Sequence, residues 1–396
     1  MGRPAEALRI LRQGGPRAFA QRAARVAYRK FGASTLDFPL GFADVADSRG
    51  LKLATPARRP ARGTPLTIGW VCVPPALGSG GHTTLFRMVE AAEAAGHTCV
   101  LYLYDRFGGD LARHEGVIRQ GWPGMRAEVR SVADGLAPLD AYVASAWQTA
   151  HVLAARAEVP TRRLYFIQDF EPFFYPQGSE FVLAEDSYRF GFRAITVGRM
   201  IAEMLRADYG VSAAVAEFGV DTSVYHLTNP GARRGVIFYA RPDTARRGFA
   251  VGAMALQEFH RRHPEYDIHL FGDATAQVPF PHTNHGSVPP ARLASLYNEC
   301  VAGIALSFTN VSLVPDEMLA CGAVPVTGES PYARACLDNP HVRWANPTPL
   351  GLADALSEAV SGGSAPPAEI AASVQGRPWD AARRVTVETI EDEVYG

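Results

Sequence analysis

Short apolar runs alternate with amphipathic stretches along most of the chain. Residues 66–73 form an apolar, β-prone run, a Gly-rich turn follows at 76–81, and residues 82–95 have a helical periodicity that Gly96 ends. The cycle recurs, which predicts a helix at 149–156 and further strands at 98–104, 141–145 and 163–168. Strands that alternate with helices in this way predict a parallel sheet covered on both faces.

A second series of the same kind begins near residue 235. Its predicted helices cover residues 249–263, 290–299 and 315–320, and its predicted strands cover residues 235–239, 267–271, 301–306 and 323–326. The chain is therefore predicted to contain two α/β halves. A nucleotide ligand is expected in a cleft between two such sheets, at the carboxyl ends of their strands.

Length and composition agree with two folded domains. At 396 residues the chain exceeds the size at which a single core usually stops growing. Apolar residues make up 47% and charged residues 20%, which is typical of a globular protein. The five cysteines are scattered with no CxxC pair, so they are predicted to be small buried side chains rather than zinc ligands.

The first 31 residues differ from the rest because they carry eight basic side chains against the single acid Glu6. Phe19, Ala23 and Val26 share one helical face and arginines another, so this segment is either a helix on an anionic membrane surface or a solvated arm. No apolar run is long enough for a membrane span or a signal peptide. The expected location is the cytoplasm, either free or peripheral at the inner face of the membrane.

The Gly-rich turn before the first helix is a candidate ligand-binding loop. Gly80 and Gly81 leave backbone amides open to an anion or an acceptor, although a tight turn without a ligand explains them equally well. The spacing does not fit GxGxxG, so a nicotinamide cofactor is not expected. His82 acts on the substrate that accepts a transferred group, hydrogen-bonds a phosphate, or caps its own helix.

Two arginines follow the first strand of the second half. Arg241 and Arg247 leave a strand end and approach a helix start, where two fixed cations would neutralise a diphosphate. The alternative is that they serve only surface solubility.

A third candidate segment covers residues 307–326 and opens a helix. Glu317 lies in its first turn, which is an ordinary position for an acid at a helix start. The functional interpretation is that Glu317 holds ribose hydroxyls while the backbone amides of Leu313 and Val314 hold phosphate.

Two acids follow the strand predicted at 163–168. Asp169 and Glu171 resemble a metal-binding Asp-x-Glu, but the phosphate-binding features lie in the other half of the chain, so no metal is expected there. Either acid orients or deprotonates the acceptor hydroxyl, with Asp169 preferred, or is buried and caps a helix.

These segments carry a family resemblance. Residues 315–326, Pro-Asp-Glu-Met-Leu-Ala-Cys-Gly-Ala-Val-Pro-Val, are similar to the donor site of the family-four retaining glycosyltransferases. Further motifs of that family are resembled in the same order at residues 219–225, Arg241, Arg247-Gly248 and residues 270–273. Within the family, residues 165–176 and the Gly-Gly-His turn resemble the WsaF-type rhamnosyltransferases. Two positions depart from the pattern: Thr309 stands at the family's first glutamate and Arg247 at its lysine.

The resemblance implies a GT-B fold with two Rossmann-like domains facing a central cleft. The expected domains are a basic N-terminal appendage and linker (1–65), an acceptor-side domain (66–220) and a nucleotide-sugar-binding domain (221–375). A C-terminal helix (376–396) is expected to cross back to the first domain. It implies a metal-independent, retaining hexosyltransferase without a cofactor. The implied donor is dTDP-rhamnose, and the implied acceptor is a glycan or lipid-linked glycan of a surface polysaccharide.

Residue roles combine the interpretation of the individual segments with the resemblance. Catalysis is assigned to Asp169 and His82, and substrate binding to Gly80, Gly81, Glu171, Arg241, Arg247, Thr309, Leu313, Val314 and Glu317. Two alternatives stay open at this point: a nucleotide-sugar epimerase of the same fold, and a non-catalytic descendant that binds nucleotide sugar. No nucleic-acid partner is expected.

Overall fold

The computed structural model describes residues 20, 23, 24, 27, 28, 30 and 37–396. The chain divides into two compact units, residues 1–45 and residues 46–396. In the first unit a 3₁₀ turn covers Phe42–Asp44. Most of the basic segment predicted at residues 1–31 lies outside the described residues, so its membrane contact stays a prediction. Within the described part, every helix is too short or too polar to cross a bilayer.

Seven parallel strands form the first sheet of the second unit, in the order β3-β2-β1-β4-β5-β6-β7. They are β1 (Thr67–Cys72), β2 (Thr98–Leu103), β3 (Glu128–Ser131), β4 (Ala141–Ala144), β5 (Arg162–Ile167), β6 (Arg193–Val197) and β7 (Ala213–Ala216). Because helices cover both faces, the central strands are mostly apolar, and Ile68, Trp70 and Val71 have no exposed surface. The winding direction reverses between β1 and β4.

The helices of this half are α1 (Gly80–Ala94), α2 (Leu111–Gly121), α3 (Trp147–Ala155), α4 (Ser179–Ser187) and α5 (Arg199–Tyr209). Two of them begin at a side-chain cap: Ser79 caps α1 by accepting a hydrogen bond from His82 N, and Asp110 caps α2 by accepting one from Ala112 N. Residues preceding β1 are held to the same half, since Ala54 N donates to Ala157 O at 2.8 Å.

Six parallel strands form the second sheet, in the order β10-β9-β8-β11-β12-β13. They are β8 (Gly235–Ala240), β9 (Asp267–Gly272), β10 (Thr283–Asn284), β11 (Cys300–Ile304), β12 (Val324–Gly328) and β13 (Arg343–Ala345). Its helices are α6 (Phe249–Arg262), α7 (Pro290–Glu299), α8 (Val314–Ala320), α9 (Pro331–Cys336), α10 (Pro349–Val360) and α11 (Pro367–Ala372). The winding reverses between β8 and β11, so the chain contains two Rossmann-like halves, which confirms the predicted fold class.

The last helix, α12 (Asp380–Tyr395), packs on α1 and on β5, β6 and β7, and therefore returns to the first half. Trp379, Ile390 and Val394 join the core of that half, as the resemblance implied. The division at residues 65, 220 and 375 stays a prediction.

The cysteines follow the prediction with one exception. Four are buried and all five are free, whereas Cys336 is half-buried at the end of α9. Its sulfur accepts a hydrogen bond from Met200 N at 2.9 Å, so Cys336 lies at a contact between the two halves.

Candidate functional site between the two halves

The carboxyl ends of β5 and β11 meet across the cleft. Phe170 N donates to Thr309 O at 3.4 Å, and Asn310 Nδ2 donates to Gln168 O at 2.8 Å. An ion pair joins the loop after β5 to the loop after β8, with Arg246 Nε 3.8 Å from Asp169 Oδ2. The loop after the fifth strand of one half therefore lies directly against the loops that follow β8 and β11 of the other half.

Buried polar atoms without hydrogen-bond partners are concentrated at this junction. Four of the nine such side-chain atoms in the described part of the chain belong to Asp169 (Oδ1), Arg246 (Nε), Arg247 (Nη1) and Thr309 (Oγ1). Buried polar groups in folded proteins are nearly always hydrogen-bonded, so a cluster of exceptions indicates the place of a polar ligand. We refer to these four residues as the junction cluster.

The carboxyl group of Asp169 is shielded from solvent and surrounded by the other members of the cluster. Burial raises its pKa, while Thr309, Arg246 and Arg247 lower it. The net shift is upward, which brings the pKa of this carboxyl closer to neutral pH than that of an exposed aspartate. A base is most effective when its pKa lies near the working pH, so the arrangement is suited to accepting a proton from an acceptor hydroxyl.

The three arginines of the loop after β8 differ in exposure. Arg247 is half-buried with its guanidinium 5.6 Å from the ring centre of Tyr239, and burial lowers its pKa while nearby Asp169 raises it. Arg246 is also half-buried, with its guanidinium carbon 4.3 Å from the ring centre of Phe174 in the first half. Arg241 is exposed at the end of β8. The pKa of Asp273, at the end of β9, is lowered mainly by hydrogen bonds from Thr275 and further by the charge of Arg241.

Local backbone geometry places Arg247. A 3₁₀ turn over Ala245–Arg247 ends at Gly248, whose φ of +60° is in the left-handed region that favours glycine. A Cβ at Gly248 would lie 2.8 Å from the Phe308 ring. Glycine at this position therefore lets the turn pass into α6 while Arg247 stays beside Asp169.

Glu317 lies in the first turn of α8, deeper in the second half. Its carboxyl is next to the hydroxyls of Tyr225 and Tyr297, and the Tyr297 hydroxyl is another buried atom without a partner. Burial raises the pKa of Glu317 to about 7, and the two tyrosines lower it. Leu313 precedes α8 and packs against the core of the first half, so the start of this helix is fixed at the cleft.

The Gly-rich turn of the first half lies beside the junction cluster. A Cβ at Gly81 would be 3.8 Å from Gln168 Oε1, while Gly80 has open space around it. His82 uses both ring nitrogens within its own loop: Nε2 lies 3.0 Å from Val73 O and Nδ1 2.8 Å from Ser79 Oγ. Since a carbonyl only accepts, Nε2 donates to Val73, and Nδ1 accepts from Ser79. In this arrangement His82 fixes the loop, and a catalytic role would require its ring to leave these partners.

Glu171 is not placed in the cleft. Its Oε2 accepts hydrogen bonds from Trp147 N at the start of α3 and from Tyr165 OH at 2.7 Å, and its own backbone N donates to Tyr188 OH. Burial raises its pKa to about 8. These contacts are the capping role that the sequence left as the alternative to substrate binding.

The structure thus brings together Asp169, Arg247, Thr309 and the Gly80-Gly81 turn, with Glu317 and Leu313 nearby and Arg241 at the outer edge. Sequence reasoning did not identify Arg246, Asn310 or the tyrosines around Glu317. Arg246 is adjacent to Arg247, but only the 3₁₀ turn shows that the charges of both side chains act on the same carboxylate, that of Asp169. Among the described residues, no group of three or more histidines, cysteines and acids is arranged to hold a metal ion.

Comparison with known proteins agrees with this architecture. Residues 130–199 match the WsaF N-terminal domain, and residues 234–357 match the WsaF C-terminal domain. The O-antigen biosynthesis protein RfbC of Myxococcus xanthus is 32% identical over 327 residues, which cover 77% of this chain and 25% of that protein. The chain therefore spans about a quarter of the length of this curated relative.

Solved structures show the same fold at low sequence identity. HepE of Anabaena in complex with UDP has a TM-score of 0.60 at 14% identity, with 83% of this chain and 98% of that chain covered. An α,α-trehalose 6-phosphate synthase from Burkholderia multivorans has a TM-score of 0.54 at 14% identity and the same coverage.

The fold and the family matches together place the chain in the class of GT-B glycosyltransferases, which confirms the predicted enzyme class. Within that class the chain is similar to both the N-terminal and the C-terminal domain of WsaF.

Proposed function

We propose that this protein transfers a glycosyl group from a nucleoside diphosphate sugar to a glycan acceptor in surface polysaccharide biosynthesis. The observation that carries the proposal is the junction cluster. It combines two arginines, a carboxylate and a hydroxyl from opposite halves, each with a buried polar atom that has no partner. The O-antigen relative supports the pathway, and HepE, solved with UDP-glucose, supports the donor class.

The donor diphosphate is proposed to bind on the second half. Breaking the bond between the anomeric carbon and the phosphate oxygen leaves negative charge on the diphosphate. Arg247, a half-buried cation with a nitrogen that has no partner, is proposed to neutralise it. The backbone amides of Leu313 and Val314 at the start of α8 add donors, and Glu317 accepts from the ribose hydroxyls. Preorganised charge in a shielded cleft is the largest contribution that a protein makes to such a step.

The acceptor is proposed to lie on the first half, between the Gly80-Gly81 turn and Asp169. The acceptor oxygen forms the new bond to the anomeric carbon, the phosphate oxygen leaves with the electron pair, and the hydroxyl proton passes to Asp169. Retention requires departure and attack on the same face of the sugar. We propose L-rhamnose from dTDP-rhamnose as the transferred group, on the strength of the WsaF domains.

The test is turnover of labelled dTDP-rhamnose and UDP-glucose by the purified protein, with and without a lipid-linked glycan fraction. We expect transfer of label to glycan, lost in Asp169→Asn and kept in Asp338→Asn, an exposed aspartate outside the cleft. An epimerised nucleotide sugar formed from donor alone would instead establish the epimerase. Binding without turnover of any donor in the presence of acceptor would establish the non-catalytic alternative.

A further inference from the structure

A second pocket lies outside the junction cluster, where α1 meets the segment that links the two halves and the start of α12. Its volume is about 480 Å³, within the range of small-molecule sites. Its principal lining side chains are Thr83, Arg87, Trp122, Asp221, Trp379 and Arg383. None of these side chains belongs to the junction cluster.

The charges in this pocket nearly cancel. Arg87 and Arg383 stand against Glu90, Asp221 and Asp380, two cations against three acids. Arg87 is held in place, because it donates to Asp221 Oδ2 at 3.3 Å. The pocket has no large net charge that would attract a diphosphate or a polycation, so it is suited to a neutral polar ligand.

The remaining lining groups define that ligand further. The indoles of Trp122 and Trp379 are nearly buried and contribute apolar surface, and Arg87 lies 4.9 Å from the ring centre of Trp379. Ser223 OH donates to Asp221 Oδ1 at 2.6 Å. Hydroxyl, carboxylate and guanidinium groups therefore all line the opening. A ligand that donates and accepts at many positions and also has apolar C–H faces fits this lining, and saccharides are that class.

Helix α1 connects the pocket to the Gly80-Gly81 turn of the proposed active site. Thr83 lies in the first turn of α1, directly after the Gly80-Gly81 turn, and it accepts a hydrogen bond from Trp122 Nε1 at 3.2 Å. Arg87 is one turn further along the helix, and its charge lowers the pKa of Glu317 on the donor side. Gly81 and Arg87 are separated by a rise of about 9 Å along the helix, so we expect an acceptor glycan of several sugars to extend from the Gly80-Gly81 turn to this pocket.

We infer that this pocket binds a neutral sugar residue of the acceptor glycan, distal to the residue that is glycosylated. The inference rests on the proposed glycosyl transfer and adds an acceptor subsite to it. It assigns Arg87, Asp221 and the two tryptophans to acceptor recognition.

The test fills the pocket without touching the buried side chains. Thr222 is exposed and lines the pocket, so Thr222→Trp would occupy its volume; Thr228→Trp, at an exposed position six residues later and outside the pocket, is the matched control. The probes are neutral α-linked rhamno-, manno- and glucotrisaccharides, with binding measured by saturation-transfer NMR. Melting temperatures with and without dTDP and UDP report donor-site binding in the same samples.

We expect at least one trisaccharide to bind the wild-type chain and Thr228→Trp, and to bind Thr222→Trp about tenfold more weakly or worse, a loss of about 1.4 kcal/mol. Nucleotide stabilisation should be equal in all three proteins. The inference is overturned if no trisaccharide binds the wild type, or if Thr222→Trp binds as tightly as the control. Failure of both nucleotides to stabilise the wild type would count against the proposed function, separately from the saccharide result.

Discussion

Replacing Arg247 with methionine tests the electrostatic reasoning with little effect on packing. Methionine keeps an apolar stem against Tyr239 and removes the guanidinium. A hydrogen bond to a charged group contributes about 1.5–3 kcal/mol, so its loss should lower kcat/KM about 10- to 150-fold. The same change at exposed Arg241 removes a solvent-screened charge worth about 0.2–1 kcal/mol, less than about sixfold in rate.

Thermal melting separates this effect from unfolding. Burial lowers the pKa of Arg247, which means that its charged form is disfavoured in the folded state. Methionine should therefore leave the melting temperature of the free protein unchanged or raise it, while turnover of labelled donor falls. A loss for Arg241→Met equal to or larger than that for Arg247→Met would refute the reasoning.

Four further results are expected. Burial raises the pKa of Glu171 to about 8 in the folded protein, against an ordinary value of 4.5. Its stabilising contribution is therefore complete below pH 4.5 and is lost as the pH rises through 8. Chemical denaturation should show that Glu171→Gln gains stability relative to wild type between pH 5 and pH 9. The acid limb of the kcat/KM profile, which reports the free protein, should lie above the ordinary range of an aspartate because burial raises the pKa of Asp169, and a limb near pH 4 would contradict its role as base. Gly248→Ala should lose about 1–2 kcal/mol of stability from its left-handed φ, measured by chemical unfolding, whereas Gly80→Ala, which has open space, should lose less. Deleting residues 1–31 should abolish sedimentation with anionic liposomes, and unchanged binding would remove the membrane proposal.

Strand and helix periodicity predicted eight of the thirteen strands in the two described sheets and missed β3, β6, β7, β10 and β13. Apart from Thr67, the runs at 66–73 and 235–239 have no polar side chain because both of their faces are covered, and the structure forms β1 and β8 there. Among the missed strands, β7 (Ala213–Ala216) is four residues long and has Val215 as its one β-branched side chain. Its place as an edge strand depends on the neighbouring β6, which a local pattern does not encode.

The candidate site was predictable where it follows from strand ends and less so where it depends on tertiary contacts. Arg247 and Asp169 each follow a strand, and the parallel fold brings such positions to one edge. Which of two nearby acids faces the cleft is decided by contacts that the sequence does not show. Glu171 turns back to the start of α3, whereas Asp169 meets Arg246 from the other half.

A crystal structure of the protein with dTDP or UDP would test the central claim most directly. The account predicts a pyrophosphate in the cleft, with oxygens within hydrogen-bond distance of Arg247 and of the backbone amide of Val314. A nucleotide bound away from the cleft, with Arg247 turned into bulk water, would contradict it.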